Sequence, residues 1–241
     1  MAADGILSAG HVPGDPPVTL AQRISDRGIS EIIHFTTNRG LLGSLHSRHL
    51  LSRPLLSEDK YLRHVLQLNA AVRPEESAFF DKSQDWLRFV NLTVSEVNRR
   101  FLDVSRRWHP HDIWWCILSF DPELIEHDGV WFTTTNNGYD ACTRAQGTAG
   151  FDGMFAQKIS RKRSGFDGRP WNVLRLNRPD HLPTCEQAEV LYPEKLSLDT
   201  LRTVYVEEGE YHDTVVGWLS DYGYENIKVV VDKQKFVGRQ N

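Results

Sequence analysis

The sequence is poor in cysteine and lacks every common metal-binding spacing. Its three cysteines, Cys116, Cys142 and Cys185, are scattered along 241 residues. An odd and sparse count is typical of a reducing compartment without a disulfide framework. The ten histidines come with no HExxH motif and no CxxC pair, so we expect no bound metal.

Long hydrophobic runs and targeting signals are also missing. No run approaches the roughly 18 apolar residues that a membrane-spanning helix needs. The N-terminus lacks the basic and apolar regions of a signal peptide, so we expect a cytoplasmic protein with no membrane partner. Residues 1–18 are rich in Gly, Pro and Ala without periodicity, which predicts a disordered leader before one domain over residues 19–241.

Excess positive charge is absent overall but present locally. The net charge of −4 argues against binding nucleic acid over the whole surface. The segment from about 156 to 186 has little regular pattern, and loops of this length are usually functional or disordered. It is either a solvated loop or a local phosphate-binding patch. Six of its basic residues crowd the interval 158–175: Lys158, Arg161, Lys162, Arg163, Arg169 and Arg175.

Strand and helix patterns alternate along the chain without a repeat or a linker. This order predicts a single α+β domain, and the run at 113–120 is the strongest strand and is expected to be central. Further strands are predicted at 32–36, 86–95, 129–135, 187–192, 201–206 and 226–231, and helices at 19–27, 58–71, 95–107 and 209–221.

A carboxylate and an amide fall on one face of the strand predicted at 187–192. Side chains alternate along a strand, so Gln187 and Glu189 share a face, and Pro193 ends the run. Two interpretations stay open from this stretch alone. Glu189 is either at the solvent edge of an amphipathic sheet or held rigidly in a cleft, with Gln187 orienting an acceptor.

Three other stretches carry candidate binding residues. His34 and Thr36 share a strand face and suit a ribose hydroxyl, although an isolated histidine is more often a core residue. The stretch from Gly40 to Leu45 opens a helix whose N–H groups suit a diphosphate. The turn at 136–138, followed by Tyr139, is either an ordinary loop or the mouth of a cleft.

In their order and spacing, four motifs resemble the landmarks of DarT-type DNA ADP-ribosyltransferase toxins. The resemblance covers roughly residues 28–206, and its last motif is the most specific. The motifs are Ile33-His34-Phe35-Thr36, Gly40-Leu41-Leu42-Gly43-Ser44-Leu45, Asp121-Pro122 with Gly129-Val130-Trp131-Phe132-Thr133-Thr134, and Gln187-Ala188-Glu189-Val190-Leu191-Tyr192-Pro193.

The resemblance implies a fold and a set of site residues. The fold would be a single ADP-ribosyltransferase domain, with two small, mainly antiparallel sheets around an NAD cleft. Glu189 would be the catalytic glutamate, and Arg73, which follows a predicted helix, the catalytic arginine. The residues expected to line the NAD site are His34, Phe35, Thr36, Gly43 and Leu51. Those expected to meet single-stranded DNA are Gln187, Lys158, Arg161, Lys162, Arg163, Asn137 and Tyr139.

These residue types fit the chemistry of ADP-ribosyl transfer. Breaking the nicotinamide–ribose bond builds positive charge on the ribose, which a fixed carboxylate stabilises. The same carboxylate can take a proton from a base nitrogen, and such a nitrogen is accessible in single-stranded DNA. An arginine can hold a diphosphate with two parallel hydrogen bonds.

The resemblance also implies a biological role. The stretches Leu51-Ser52-Arg53 and Phe89–Thr93 look closer to the guanosine-modifying branch than to the thymidine-modifying one. The protein would then be the toxin of a toxin–antitoxin pair, and a macrodomain hydrolase would reverse the modification. The alternatives are the same fold acting on thymidine, RNA, protein or water, and a non-enzymatic nucleic-acid-binding module. The last leaves His34, Thr36, Gln187 and Glu189 unexplained.

Overall fold

The computed structural model describes residues 18–58, 85–108, 113–162 and 168–241. The predicted leader lies outside these ranges except for Val18, as do most of the helix predicted at 58–71, Arg73 and Arg163. The strands within these ranges are Ile32–Thr37 (β1), His49–Leu51 (β2), Phe89–Val94 (β3), Trp115–Phe120 (β4), Trp131–Thr133 (β5), Arg144–Gln146 (β6), Lys158–Arg161 (β7), Trp171–Leu174 (β8), Val190–Pro193 (β9), Lys195–Ser197 (β10), Leu201–Val206 (β11) and Lys228–Val231 (β12).

Helices connect these strands. The α-helices within the described residues are Leu20–Asp26 (α1), Asn38–Ser47 (α2), Arg53–Glu58 (α3), Arg99–Trp108 (α4), Gly147–Met154 (α5) and Gly209–Asp221 (α6). Short 3-10 helices are found at Trp86–Arg88, Pro122–Glu126, Leu198–Thr200 and Lys233–Phe236.

The strand expected to be central, β4, has all six residues buried. It pairs with β1 on one side and β11 on the other. Its two faces pack into different apolar clusters: Cys116 and Leu118 belong to the larger one, and Trp115 and Ile117 to the smaller one. Because both faces are covered, the strand reads as a continuous apolar run rather than an alternating one.

The main sheet has eight strands in the order β12-β11-β4-β1-β3-β9-β5-β6. Two four-stranded halves meet where β1 lies beside β3, and only two residue pairs join them, Ile32 with Val94 and Ile33 with Thr93. Beyond Ile33 the two strands separate, whereas β1 stays paired with β4 over its full length. The sheet therefore opens at His34.

The predicted α+β class is confirmed. The two small sheets expected from the sequence are the halves of this larger sheet, and the pairing is antiparallel except between β11 and β12. Two further two-stranded pairs, β2 with β10 and β7 with β8, lie outside the main sheet.

The strand predicted at 187–192 begins later than expected. β9 starts at Val190, and Gln187 lies in a turn in which the Ala188 N–H bonds the Cys185 carbonyl at 3.0 Å. The prediction that Gln187 and Glu189 share a strand face is therefore wrong, because a turn does not keep the two-residue alternation. The predicted end at Pro193 is confirmed.

Neither a membrane-spanning helix nor a metal-binding cluster is found among the described residues. No helix in these ranges has the length and apolar character needed to cross a bilayer. Within the same ranges, no three His, Cys, Asp or Glu side chains are grouped to hold a metal ion.

Candidate active site

Glu189 lies directly before β9, and Thr133 of β5 fixes its backbone. The Glu189 N–H donates to the Thr133 hydroxyl oxygen at 2.9 Å, and the Thr133 N–H donates to the Glu189 carbonyl at 2.9 Å. The Thr133 hydroxyl in turn donates to the Thr135 carbonyl at 2.7 Å. Thr133 is fully buried, so the residue bearing the carboxylate is held by an anchor that solvent does not reach.

The carboxylate of Glu189 is also held from the turn after β5. The backbone N–H of Asn137 donates to Glu189 Oε2 at 2.9 Å. Arg144 of β6 fixes Asn137, because its Nε donates to Asn137 Oδ1 at 2.6 Å and its Nη2 donates to the Asn137 carbonyl. The side chain of Glu189 is 5% exposed, which excludes the interpretation that it stands at the solvent edge of a sheet.

This geometry changes the role expected of Asn137. The sequence predicted a DNA contact, but its side chain is buried and bonded to Arg144, while its backbone holds Glu189. Arg144 also lies over the Trp86 ring, at 5.0 Å from the centroid. Arg144 was not among the residues predicted for the site, and Thr133 was named only as part of a family motif. One signal for Arg144 was available, since it is the only Lys or Arg between Arg107 and Lys158.

Gln187 stands beside this site in contact with a buried arginine. Arg161 Nη2 donates to Gln187 Oε1, and Arg161 Nη1 donates to Glu186 Oε1 at 3.1 Å. Arg161 is 2% exposed. It therefore faces the interior instead of the solvent, and the predicted phosphate contact does not fit its position.

The remaining predicted DNA residues lie around this cluster. Lys158 is exposed on β7, and Lys162 is half-buried, with its ammonium 3.8 Å from Asp140. Tyr139 is half-buried, with its ring 6.1 Å from that of Trp171. Of these residues, Tyr139 also lies near Arg161, whose guanidinium is 6.0 Å from the centroid of the tyrosine ring.

The thiols near Glu189 are protonated. Burial raises the pKa of Cys142 to about 11, against the opposing effect of Arg144, and the Glu189 charge raises it further. Burial also raises the pKa of Cys185. Because the thiolate is the reactive form of cysteine, neither residue is a nucleophile at neutral pH.

Where β1 and β3 separate, His34 bridges the two sheet halves. Its Nδ1 is 2.8 Å from the Asn91 carbonyl, which can only accept, so Nδ1 carries the proton. Desolvation lowers the pKa of His34 below its ordinary value, against the opposing effect of the Asn91 bond. The ring is therefore neutral at pH 7, and Nε2 is free of a proton and can accept a hydrogen bond.

The other residues predicted to bind NAD are placed less uniformly. Thr36 shares the strand face of His34. Phe35 points to the opposite face, where its ring packs against Phe101 at 5.6 Å and Trp115 at 5.7 Å, so only its backbone remains on the opened edge. Gly43 is buried in α2, and Leu51 is half-buried in β2.

The N-terminus of α2 offers less to a diphosphate than expected. The Asn38 N–H bonds the Trp114 carbonyl at 2.9 Å, and the Gly40 N–H bonds the Thr37 hydroxyl at 3.0 Å. The Arg39 N–H bonds Asn38 Oδ1 at 2.9 Å. These three donors already have partners inside the protein, so the expectation that they bind a diphosphate does not fit.

Gly40 couples α2 to Thr36, and a methyl group there should weaken NAD binding. An added Cβ would lie 2.0 Å from Thr36 Oγ1, so in Gly40→Ala the threonine hydroxyl must turn away. We expect a reduced thermal stabilisation by NAD.

The matched control is Gly217→Ala in α6, where a Cβ meets nothing within 4 Å. It should stabilise the fold by about 0.5–1 kcal/mol without altering the NAD response. Equal NAD responses in both variants would contradict the coupling.

Replacing His34 should also weaken NAD binding, because the ring presents an acceptor nitrogen at the opening of the sheet. We expect His34→Ala to show a smaller thermal shift with NAD than the wild type. His212→Ala is the control, because that histidine lies on α6 and pairs with Asp213. An unchanged NAD response in folded His34→Ala would leave His34 as a structural residue only.

The lowered pKa gives His34 a second signature. Below about pH 6.5 the unfolded chain binds more protons at this position than the folded protein does. The contribution of His34 to the free energy of unfolding therefore falls as pH falls. The His34→Ala variant should lose this part of the pH dependence, as measured by urea unfolding between pH 5 and pH 8.

The fold and site together define an ADP-ribosyltransferase-type domain. Thermus sp. 2.9 DarT, solved in complex with ADP-ribosylated ssDNA, is 12% identical, with a TM-score of 0.58 over 86% of this chain and 96% of that one. The same protein with NAD+ gives a TM-score of 0.55 at 13% identity, over 85% and 96% of the two chains. Thermosipho africanus DarTG in complex with ADP-ribose gives 0.54 at 13% identity. This match covers 88% of the present chain. The present chain spans only about half, 52%, of the length of the Thermosipho chain.

Residues 33–237 match the family described as "ssDNA thymidine ADP-ribosyltransferase, DarT". The chain belongs to this family of DNA ADP-ribosyltransferases. No curated protein matches its sequence.

Proposed function

We propose that this protein transfers ADP-ribose from NAD to guanosine in single-stranded DNA, with Glu189 as the catalytic carboxylate. The observation that carries the proposal is the rigid placement of Glu189. A buried carboxylate held by the Asn137 N–H, two residues after an amide side chain, is built to act on a bound reactant. Pre-set groups of this kind stabilise a transition state without reorganising.

The residues fit an NAD site at the opening of the sheet. His34 Nε2 and the Thr36 hydroxyl suit ribose hydroxyls, and the backbone around Phe35 suits the nicotinamide amide. Gly43 and Leu51 complete the proposed lining. NAD supplies the ADP-ribosyl group, with nicotinamide as the leaving group. Arg73 is proposed to orient the donor.

Glu189 and Gln187 are assigned the roles next to the acceptor base. Glu189 stabilises the positive charge that develops on the ribose, and it accepts the proton released by the attacking base nitrogen. Gln187 holds the acceptor base beside it. A single strand provides a nucleobase that is already out of a duplex, which lowers the cost of presenting it to the site.

Thymidine is the second candidate base, because the description of the family names it. The decisive experiment incubates the protein with NAD and mixed-sequence single-stranded DNA, digests the DNA, and identifies the modified nucleoside by mass spectrometry. A guanosine adduct supports the proposal, and a thymidine adduct replaces the base. Label on added RNA or protein, or free ADP-ribose alone, would overturn DNA as the acceptor. Glu189→Gln is the negative control.

DNA binding is proposed to use Lys158, Lys162 and Arg163, with Tyr139 as a stacking surface. Replacing Lys158 and Lys162 with alanine should weaken binding and flatten its salt dependence, by about 0.7 in the log–log slope for each phosphate that the protein no longer neutralises. The control pair is Lys228 and Lys233, on and after the edge strand β12. An unchanged slope in the Lys158/Lys162 variant would assign phosphate binding to another surface.

We further propose that the protein acts in the cytoplasm as the toxin of a toxin–antitoxin pair, countered by a macrodomain hydrolase. The likeness to a DarTG structure supports a two-component system. Expression should arrest growth in a host cell, the Glu189→Gln variant should not, and co-expression of a DNA ADP-ribose hydrolase should restore growth. Arrest by both forms would separate toxicity from catalysis.

A further inference from the structure

Arg161 is buried in contact with Glu186 and Gln187, in the turn that leads to Glu189 and β9. Its guanidinium lies 5.2 Å from the centroid of the Trp171 ring and 6.0 Å from that of Tyr139. Its two terminal nitrogens reach different partners, Nη1 the Glu186 carboxylate and Nη2 the Gln187 side chain. The Arg161 and Glu186 side chains are 3% and 6% exposed, so solvent does not compete for this interaction.

The hydrogen bond determines which end of the Gln187 amide faces the guanidinium. A guanidinium has only donors, so the atom of Gln187 that meets it must be the oxygen. The amide nitrogen is then turned away from Arg161. Within the part of the chain that the structure describes, Gln187 Nε2 makes no hydrogen bond, although the residue is only 4% exposed. Its two N–H groups are thus left for a bound partner.

We propose that Arg161 is a positioning residue that fixes the orientation of Gln187, so that its amide N–H groups meet an acceptor atom of the nucleobase. This inference rests on the proposed DNA transferase function and assigns the polarity of its acceptor site. The base contributes a lone pair, on a carbonyl oxygen or a ring nitrogen, next to the nitrogen that is modified. A Gln187 amide that was free to turn would also present its oxygen, which repels that lone pair.

Glu186 keeps the guanidinium in this orientation. Its two carboxylate oxygens lie 3.1 and 3.4 Å from Arg161 Nη1, so the ion pair restrains one end of the fork while the other end meets Gln187. A lysine has the same charge but a single nitrogen without the fork geometry. Arg161→Lys should therefore keep the pair with Glu186 and lose the hydrogen bond to Gln187.

The test is a double-mutant cycle of Arg161→Lys and Gln187→Ala, read on two reactions. We expect each single variant to lower kcat for transfer to an oligonucleotide by about 100-fold, the loss typical of a misplaced reactant. The double variant should be no slower than either single one, because both remove the same interaction. Hydrolysis of NAD by water and the affinity for NAD should stay within about twofold of the wild type, since neither needs the base to be oriented.

Arg178→Lys is the matched control, since Arg178 is also buried, lies in the same segment and pairs with a glutamate, Glu96. Its charge also acts on Glu186, but it does not touch Gln187. It should keep transfer within about threefold of the wild type. If Arg161→Lys does not fold, Arg161→Gln combined with Glu186→Gln removes both charges together and should show the same selective loss of transfer.

Three results would overturn the role of Arg161: near-wild-type transfer by Arg161→Lys, additive losses in the cycle, or an equal loss in Arg178→Lys. A wild-type protein that modifies no oligonucleotide but hydrolyses NAD would instead overturn the proposed function. The two failures are therefore distinguished by the wild-type reaction alone.

Discussion

Replacing Glu189 with glutamine should lower the rate of ADP-ribose transfer by about 100-fold or more. The amide has nearly the shape of the carboxylate, and its oxygen can still accept the Asn137 N–H, so the fold and the NAD affinity should persist. What disappears is the negative charge that stabilises the ribose in the transition state, and rate losses of this size are typical of such groups. The measurement is transfer of labelled ADP-ribose to an oligonucleotide under single-turnover conditions.

The control for this substitution is Glu194→Gln. Glu194 lies five residues further along, is about half exposed, and pairs with Arg88 at 2.6 Å on the surface. We expect its transfer rate to match that of the wild type. If Glu189→Gln retained more than about a tenth of the wild-type rate, while still binding NAD, the catalytic assignment would be incorrect.

Replacing Arg161 with alanine should cost about 3–5 kcal/mol of unfolding free energy, because it leaves the Glu186 carboxylate buried without its counter-charge. Urea unfolding monitored by tryptophan fluorescence would measure the loss. The solvated loop that the sequence left open as one interpretation would give almost no change, because solvated ion pairs contribute little to stability. The burial of the side chain reverses that expectation.

Two further variants separate the ion pair from general damage to the loop. Lys162→Ala removes the neighbouring charge, which is half-buried and only loosely paired, and should change the unfolding free energy by less than about 0.5 kcal/mol. Arg161→Ala combined with Glu186→Ala removes both charges and should recover part of the stability. A double variant as unstable as the sum of its singles would mean that the two residues do not act as a pair.

Local patterns predicted the parts of the fold that depend on apolar periodicity. The run at 113–120 becomes the buried strand β4 because its side chains fill both faces of the sheet. The strand carrying His34 and Thr36 was also predicted, because a short apolar run with a polar end is a local signal. Glu189 was identified through the motif Gln187–Pro193. That identification depends on the order and spacing of the motif, not on where β9 begins.

What sequence reasoning missed depends on contacts between distant residues. Arg161 is buried because Glu186 and Gln187, 25 and 26 residues further on, surround it, and a local charge count cannot show this. The Asn137 backbone holds Glu189 across 52 residues. In both cases the sequence identified the polar residue, but not the partner that it contacts inside the protein. Side chains that seemed ready for DNA are used inside the protein to shape the site.

Because only two residue pairs join β1 and β3, the size of the opening in the sheet depends on how far these two strands pair. Continued by two more pairs, this ladder would place Asn91 opposite Phe35, and the gap proposed for NAD would close. His34 prevents that closure, since its ring occupies the Asn91 carbonyl that backbone pairing would otherwise engage. The size of the proposed NAD site is therefore set by where two strands stop pairing, so a substitution that lengthens the ladder would shut the site without changing any side chain that lines it.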